Sequence, residues 1–315
     1  MRALTHAIVL ASLLLPTACS LRGKETPAHA EGETMKVVEP HERTINADAD
    51  APLHAMSDYL AGLEHFTVRT EGNIEMVLAD GQKLAFPYDS KVWVHRPAGL
   101  RTDRITKDDQ LQFFYDGHTF TLYGKRAGFY AQLAAPDTLD KAIVAMSQQL
   151  DLDAPGADLL ADDAYAALTE DVISGFRVGS ETIDGAPCHH LAFRGNEVDW
   201  QIWIEEGARP LPRRFLITSK KVQGSPQFAV YLSEWNMRTK LPEKVFAFEP
   251  PAGAQKIEFL TAGAAAPKQF VSQLPSGCTL VSGPLYNCAG TMYRPYYHNL
   301  EVVFVQQSTE TRRAP

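Results

Sequence analysis

The side chains best suited to chemistry are concentrated in one short stretch of this chain of 315 residues. His189 and His190 are adjacent, and Glu205 and Glu206 form an acidic pair shortly after them. Neighbouring side chains of a β-strand point to opposite faces, so one metal ion cannot easily bind both histidines. Two carboxylates act as acid and base only when they face one cleft, whereas this acidic pair precedes a turn and is expected in solvent. We therefore predict neither a metal site nor a catalytic residue here.

The chain also lacks the motifs of nucleotide-binding and hydrolytic enzymes. The segment YGKRAG, residues 123–128, lacks the first glycine and the final Ser or Thr of a phosphate-binding loop. No GxGxxG segment opens a helix, and no GxSxG segment supplies a nucleophile. We predict a protein that is not an enzyme and needs no cofactor, with an unrecognised hydrolase as the open alternative. The formal net charge of −8 disfavours nucleic acid as a partner, because phosphate backbones attract basic proteins.

The N-terminus has the composition of a secretory signal. Arg2 precedes an apolar run over residues 7–15, which is shorter than the roughly 20 residues that span a bilayer. Residues 15–19, LPTAC, resemble a bacterial lipobox, although Pro16 stands where leucine is usual. The resemblance implies lipidation of Cys19 and attachment to a membrane.

Two alternatives to this lipid anchor stay open. One is ordinary cleavage at the small-residue site AHA, residues 28–30, and the other is an uncleaved anchor. Each of them places the fold outside the cytoplasm, facing the periplasm. Ser20 lacks the negative charge that favours retention in the inner membrane, so the outer membrane is the expected location of a lipidated form.

The remaining cysteines predict one disulfide and one free thiol. Cys278 and Cys288 are close in sequence, and an oxidising compartment favours a bond between them. A Gly-Pro pair at 283–284 lies midway, so the disulfide would join the two strands of a hairpin. Cys188 is expected to be a buried free thiol, with a reactive or metal-binding role as the alternative.

Hydrophobic periodicity indicates two helices and many strands. The first predicted helix begins near Leu53, the second covers residues 139–150, and one or two short helices follow in residues 162–176. Elsewhere apolar residues alternate, and Asp-Gly pairs at 80–81, 116–117 and 184–185 predict tight hairpin turns. Such turns indicate an antiparallel meander. The apolar helical positions are Leu53, Met56, Leu60 and Leu63 in the first helix, and Leu139, Ile143, Met146 and Leu150 in the second.

The segment VDWQIWIEEGARPLPRRFLIT, residues 198–218, is predicted to be a hairpin with a turn at 207–212. Its first strand would place Trp200, Ile202 and Ile204 on the inner face. The outer face would carry Asp199, Gln201 and Glu205, with Trp203 partly exposed among them, and Arg213 and Arg214 are expected to pair the outer carboxylates.

Together these patterns predict a mainly β (α+β) fold. A single curved antiparallel sheet, or an unclosed β-barrel, would carry a helical lid over its apolar face, and a small disulfide-linked β tail would follow. The predicted boundaries are a signal peptide at 1–19, a flexible tether at 20–50, the main β domain at 51–260, a linker at 261–270 and a Tyr-rich β module at 271–308.

Residues 53–259 resemble an uncharacterised family of bacterial predicted periplasmic proteins. The resemblance rests on the segment HHLAF at 189–193, the DWQIWI segment at 199–204, the PLPRR segment at 210–214 and FAFEPPAGA at 246–254. This family is similar in fold to LolA, LolB and LppX, in which an unclosed barrel with a helical lid encloses an apolar cavity. The Tyr-rich tail is similar to a module of other bacterial envelope proteins.

The resemblance implies a lipid or acyl-chain ligand, because those relatives carry acyl chains. The alternative is a structural or assembly lipoprotein whose apolar face is only its core, since periodicity cannot distinguish a core from a pocket. The residues expected to line the ligand cavity are Phe113, Tyr115, Leu122, Leu139, Ile143, Met146, Trp200, Ile202, Phe215, Ile217 and Val230.

Overall fold

A computed structural model describes residues 43–150, 154–260, 270–271, 273–298 and 301–306. The predicted signal peptide with Cys19, most of the predicted tether and residues 261–269 of the predicted linker lie outside the described residues.

The main body is an open sheet of thirteen strands. Its strands are β1 (Thr44–Ile45), β2 (His65–Val77), β3 (Lys83–His95), β4 (Gly99–Ile105), β5 (Gln110–Tyr115), β6 (Thr119–Gly124), β7 (Phe129–Ala134), β8 (Val172–Ile183), β9 (Ala186–Gly195), β10 (Val198–Glu205), β11 (Pro212–Ser219), β12 (Gln227–Asn236) and β13 (Gln255–Lys256). From edge to edge the order is β1-β8-β9-β10-β11-β12-β2-β3-β4-β5-β6-β7-β13. All pairs are antiparallel except those formed by the short edge strands β1 and β13.

Tight turns explain why neighbours in sequence are neighbours in the sheet. The Asp-Gly pairs at 80–81, 116–117 and 184–185 connect β2 to β3, β5 to β6 and β8 to β9, as predicted. The last of these turns has positive φ at both Asp184 and Gly185, 48° and 80°, which Asp and Gly adopt more readily than other residues. Strands β2 to β7 form one meander and strands β8 to β12 form another. The two meanders are joined where β12 pairs with β2.

In the described part of the chain, three α-helices accompany the sheet: α1 (Ala47–Ala61), α2 (Leu139–Leu150) and α3 (Ala164–Thr169). Helix α1 buries Leu53, Met56 and Leu60, three of the four positions that the periodicity predicts, whereas Leu63 lies beyond the end of the helix and is only partly buried. It begins before Leu53, and its Ala49 is fully buried, so ordered structure reaches into the segment predicted as tether. Strand β8 likewise begins at Val172, inside the segment predicted as helix, which leaves α3 with six residues.

One face of the sheet and the helices enclose the main hydrophobic core. Side chains that alternate along β2, β9, β10, β11 and β12 supply most of the sheet's share, and α1, α2 and α3 supply the cover. Backbone contacts hold α2 in place: the N–H of Leu139 donates to the carbonyl of Pro97, and the N–H of Asp162 donates to the carboxylate of Asp140. We call this helix-covered side of the sheet the inner face and the opposite side the outer face.

A second, smaller sheet is formed by the C-terminal residues. Its strands are β14 (Glu258–Phe259), β15 (Phe270–Val271), β16 (Thr279–Ser282), β17 (Leu285–Cys288), β18 (Thr291–His298) and β19 (Glu301–Gln306). Cys278 and Cys288 form a disulfide in this sheet, as predicted, and Cys188 is a buried free thiol. Strand β14 directly follows the main sheet in sequence and pairs in parallel with β18, so the two sheets are adjacent. The mainly β fold with an open curved sheet, helices and a disulfide-linked tail is confirmed.

Candidate functional site

The residues predicted to line a ligand cavity all lie on the inner face or on α2. Most of them are buried in the packed core, whereas Phe113 and Ile143 are only partly buried. Core packing around Trp200 is close: its ring stacks on Phe193 at a centroid distance of 4.0 Å and meets Phe215 edge-on at 5.7 Å. The buried members are Tyr115, Leu122, Leu139, Met146, Trp200, Ile202, Phe215, Ile217 and Val230.

Leu122 lies in a different cluster from the other members of the set. It packs with Leu111, Phe129 and Ala131 on β5 to β7, and with Ile257 of the segment that enters the second sheet. Tyr286 and Val302 of the second sheet pack against this cluster. The inner face therefore has two covers, the helices and the C-terminal sheet. The sequence predicted only the first of these, because no local pattern links the tail to strands more than 150 residues earlier.

Neither the helices nor the C-terminal sheet fully covers the inner face of the β2–β3 hairpin near its turn. Register pairs Ile74 with Phe86 and Met76 with Leu84, and all four share the inner face with Phe228. Phe228 is buried, but 40% of Met76 and 46% of Phe86 are exposed. This end of the inner face, Ile74, Met76, Leu84 and Phe86, is called the open apolar end below. Apolar side chains on a concave face that remain in water are typical of interaction sites.

A polar row crosses β2, β3 and β4 near the open apolar end, while Ile74 of that end packs against the covered core. Thr70, Ser90 and Arg104 stand opposite one another on β2, β3 and β4, all on the inner face. The Arg104 guanidinium lies over the ring of Tyr88, with its carbon 5.1 Å from the ring centroid. The Tyr88 ring also stacks against Phe228 at 6.0 Å, so the polar row borders apolar surface.

Arg104 is half-buried and has no ionic partner in the described part of the chain. Its Nε is inaccessible to solvent and makes no hydrogen bond there. Burial lowers the pKa of Arg104, while the charges of Tyr88 and Asp109 act in the opposite direction. Burial also raises the pKa of Tyr88 well above its ordinary value. Arg104 could not be predicted from the sequence, because the segment LRTDRI of β4 has no apolar alternation to mark its inner face.

The outer face contains an aromatic stack that corrects the prediction for Trp203. Only 3% of Trp203 is exposed. Its ring lies between His190, stacked at 4.1 Å, and Arg214, whose guanidinium carbon is 4.4 Å from the ring centroid. Its Nε1 donates a hydrogen bond to Glu181 at 3.0 Å. Period-2 alternation assigns the outer face correctly but cannot show that long polar neighbours cover the ring.

The two arginines of the hairpin differ in role. Arg213 pairs with Glu205, as predicted, whereas Arg214 stacks on Trp203 and makes no ion pair in the described residues. The two histidines are also separate: Nε2 of His190 lies 2.8 Å from the amide oxygen of Gln201, while His189 lies beside Glu206 at 3.5 Å. Among the residues that the structure describes, no group of three His, Cys, Asp or Glu side chains is placed to hold a metal ion.

An open cleft of about 420 Å³ lies where β4 ends and leaves the outer side of β3 uncovered. Its wall contains none of the residues predicted to contact a ligand. Carboxylates line part of it, and they are engaged by Arg69, which pairs with Glu71 and Asp89. The lining residues are Glu71, Gly72, Asn73, Pro87, Tyr88, Asp89, Ile105, Thr106, Lys107 and Tyr231.

Residues 49–260 match the model of a family described as predicted periplasmic protein (DUF2092). The match covers about two thirds of the chain and nearly all of the main sheet. The chain belongs to this family. The resemblance found in the sequence is thereby confirmed, and it makes this a predicted periplasmic protein. A comparison with curated protein sequences gives no match for this DUF2092 protein.

Solved structures similar to the DUF2092 chain include three bacterial proteins. LprF from Mycobacterium bovis is 15% identical, with 62% of this chain and 97% of that chain covered and a TM-score of 0.37. LppX from Mycobacterium tuberculosis is 12% identical, with 62% and 98% covered and a TM-score of 0.33. A LolA superfamily protein from Nitrosomonas europaea is 12% identical, with 64% and 99% covered and a TM-score of 0.33. At these TM-scores the likeness carries no argument about ligand or activity.

None of the described helices combines the length and the apolar character that a membrane-spanning helix needs.

Proposed function

We propose that this protein is a periplasm-facing envelope lipoprotein that binds and carries a lipid-like amphiphile on the inner face of its open sheet. The proposal makes it a binding protein rather than an enzyme. Acyl chains would lie against the open apolar end, where Ile74 packs against the covered core.

The exposed apolar side chains at the end of the β2–β3 hairpin carry this proposal. Burying apolar surface is worth about 25 cal/mol per Å², so leaving Phe86 and Met76 in water forgoes stability that a longer lid would supply. The same strands are fully buried at their other ends, at Phe66 and Val94. An acyl chain would complete the cover by the same hydrophobic effect.

Membrane attachment through Cys19 is part of the proposal. A single acyl group binds membranes only marginally, whereas the several acyl chains of a bacterial lipoprotein would hold the protein durably. The proposed location is the periplasmic side of the outer membrane, since Ser20 carries no negative charge.

A second candidate function is a structural role in the envelope without a ligand. The observation that favours it is the close packing of the predicted cavity-lining residues, in particular the fully buried Ile202 and Phe215. On this hypothesis, the helices simply close the core and the open apolar end contacts another envelope component.

Ligand binding is tested on the full-length protein with cis-parinaric acid, whose fluorescence rises in an apolar site. Saturable binding by the wild-type protein is expected. Phe86→Glu should weaken that binding about tenfold or more, because it places a charge where the chain would lie. Native mass spectrometry after gentle extraction from membranes should show lipid bound to the wild-type protein.

The matched control is Phe176→Glu. Phe176 is 52% exposed, close to the 46% of Phe86, but it pairs with Ala192 on the outer face. The control should bind the probe as the wild type does. Wild-type protein that binds no probe and carries no lipid would support the structural role, and equal losses in both variants would place the site elsewhere.

A further inference from the structure

Arg104 is the charged member of the polar row on an otherwise apolar region of the inner face. Its cross-strand neighbours there are Ser90 on β3 and Leu111 on β5. Leu111 belongs to the cluster covered by the second sheet, while Tyr88, beside Arg104, belongs to the core covered by the helices. Arg104 therefore lies at the junction of both covers, next to the open apolar end.

Such a placement is energetically unfavourable without a partner. A buried charge or polar atom normally has its hydrogen bonds and counter-charge supplied by the protein. Of the other arginines on the sheet, Arg101 makes two hydrogen bonds of 2.8 Å to Asp103 and Arg213 pairs with Glu205. Arg214 on the outer face resembles Arg104 in its buried, unpartnered Nε, but its guanidinium lies over two rings, those of Trp203 and Tyr231. Arg104 has the ring of Tyr88 and, among the described residues, no carboxylate at ion-pair distance; Asp109 acts on it only at longer range, and its buried Nε lacks an acceptor.

The surroundings favour an anionic partner that also has an apolar part. A guanidinium presents its N–H donors as a planar fork that fits the paired oxygens of a carboxylate or a phosphate. The hydroxyl-bearing side chains of Ser90 and Thr70 continue the polar row away from Arg104. Gly72 and Tyr88 are the next inner-face residues after this row, and the apolar surface of Ile74 and Phe86 follows them.

We propose that Arg104, supported by the ring of Tyr88, binds the oxyanion head group of the amphiphile, with its acyl chain on the open apolar end. The ligand class is then an anionic amphiphile, a fatty acid or a phosphate-bearing lipid, and not a neutral one. This inference rests on the proposed function and assigns the polar end of the same site. Gly72 leaves room for the Tyr88 ring, because a Cβ there would lie 2.8 Å from the Tyr88 hydroxyl oxygen, although it would first meet the backbone oxygen of Ala229 at 2.2 Å.

Two ligand pairs, each with one anionic and one neutral head group, test whether Arg104 binds the head group. The first is cis-parinaric acid against its methyl ester, and the second is lysophosphatidic acid against monoacylglycerol of the same chain length, measured by displacement of the bound probe. Wild-type protein should prefer the anionic member of at least one pair by about tenfold. The pair with the larger preference identifies a carboxylate or a phosphate as the group that Arg104 binds.

Variants of full-length protein then assign the preference to one residue. Arg104→Gln should abolish it by weakening anionic ligands about tenfold, while neutral ligands change less than twofold. Arg104→Lys should keep part of the preference, because it keeps the charge. The control is Arg101→Gln on the outer face of the same strand, which should leave the preference unchanged.

The outcomes separate this inference from the proposed function. Wild-type protein that binds neither member of either pair overturns both. If wild-type protein binds charged and neutral members equally, lipid carriage is retained and the role of Arg104 in binding the head group is overturned. An equal loss of both members in Arg104→Gln has the same meaning. If Arg104→Gln does not fold, the wild-type preference and its retention in Arg104→Lys decide the question in the same way.

Discussion

Trp200 shows how a single aromatic residue organises the inner face. It stands opposite Phe193 on β9 and Ile217 on β11, and its ring contacts both Phe193 and Phe215. Only 2% of the side chain is exposed, so it contributes to a solid core and not to the wall of an open pocket. The ligand site proposed above therefore lies away from Trp200, toward β3 and β4.

Trp200→Ala should lower the free energy of unfolding by about 3–5 kcal/mol, because a large ring is removed from a packed site that cannot collapse fully. Urea unfolding followed by circular dichroism measures the loss. Trp93→Ala is the matched control: Trp93 is half-buried on the outer face of β3 beside Lys91 and Arg101, and it should cost about 1–2 kcal/mol. Equal losses at the two positions would contradict the solid core.

Tyr115 makes the stability depend on pH above neutrality. Its hydroxyl donates to the carbonyl of Pro136 at 2.6 Å, and burial, followed by the charges of Asp137 and Asp116, raises its pKa from 10.0 to about 12. Between these two values the unfolded state loses the proton while the folded state keeps it, so folding stability falls as pH rises through that window. Below pH 10 this contribution is fully present.

The wild-type protein should therefore lose stability between pH 10 and pH 12 more steeply than Tyr115→Phe, whose side chain does not titrate. Chemical denaturation at a series of pH values measures this, and absorbance at 295 nm follows tyrosine ionisation in the folded state. Parallel pH profiles for the two proteins would show that the Tyr115 pKa is not raised by folding.

At the scale of elements, the tail is a small sheet with little core of its own, held by one disulfide. The bond between Cys278 and Cys288 closes the β16–β17 hairpin, with a sequence separation of 10 residues. The described part of the tail buries few side chains, among them Cys288, Val303 and Val305. Tyr286 and Val302 of the tail pack against the main sheet. Cross-links matter most in modules of this size.

Replacing both Cys278 and Cys288 by Ser should destabilise the tail by about 2–3 kcal/mol, through the loop-closure entropy regained by the unfolded chain. Hydrogen exchange measures this locally: the amides of β16 to β18 should exchange faster, while those of β9 and β10 keep their protection. Cys188→Ala serves as the control, because its thiol is buried in the main sheet. Faster exchange across the main sheet in the double variant would show that both sheets unfold as one unit.

At the scale of the whole molecule, the inner face of the main sheet has three kinds of surroundings. Helices cover the region around β8 to β12, the C-terminal sheet covers β5 to β7, and the open apolar end of β2 and β3 remains in water. In the carrier proposed above, the open apolar end would be the entrance beside the covered region. The location of the molecule decides which ligands reach that entrance.

Cys19→Ala should move the protein from the membrane fraction into the soluble periplasmic fraction, because the proposed lipid anchor requires this thiol. Fractionation followed by density-gradient separation of inner and outer membranes measures the distribution, and the wild-type protein is expected with the outer membrane. Cys188→Ala should remain membrane-bound, which separates loss of the anchor from loss of a cysteine in general. An unchanged distribution of the Cys19 variant would contradict lipidation.

The sequence by itself determined the elements and their faces. Asp-Gly pairs specify tight turns through local backbone preferences, and period-2 alternation specifies which side of each strand is apolar, so the hairpins and the inward Trp200, Ile202 and Ile204 follow directly. The disulfide followed from cysteine spacing and compartment. Helix α2 followed from its apolar spacing.

Only the tertiary structure decided what each face meets. The burial of Trp203 depends on His190 and Arg214 from neighbouring strands, and the burial of Leu122 depends on a sheet formed by the tail. The isolation of Arg104 is equally non-local, because it results from which carboxylates the fold brings near and which it does not. Patterns along a chain report local periodicity, whereas partners distant in sequence are set by the packing of whole elements.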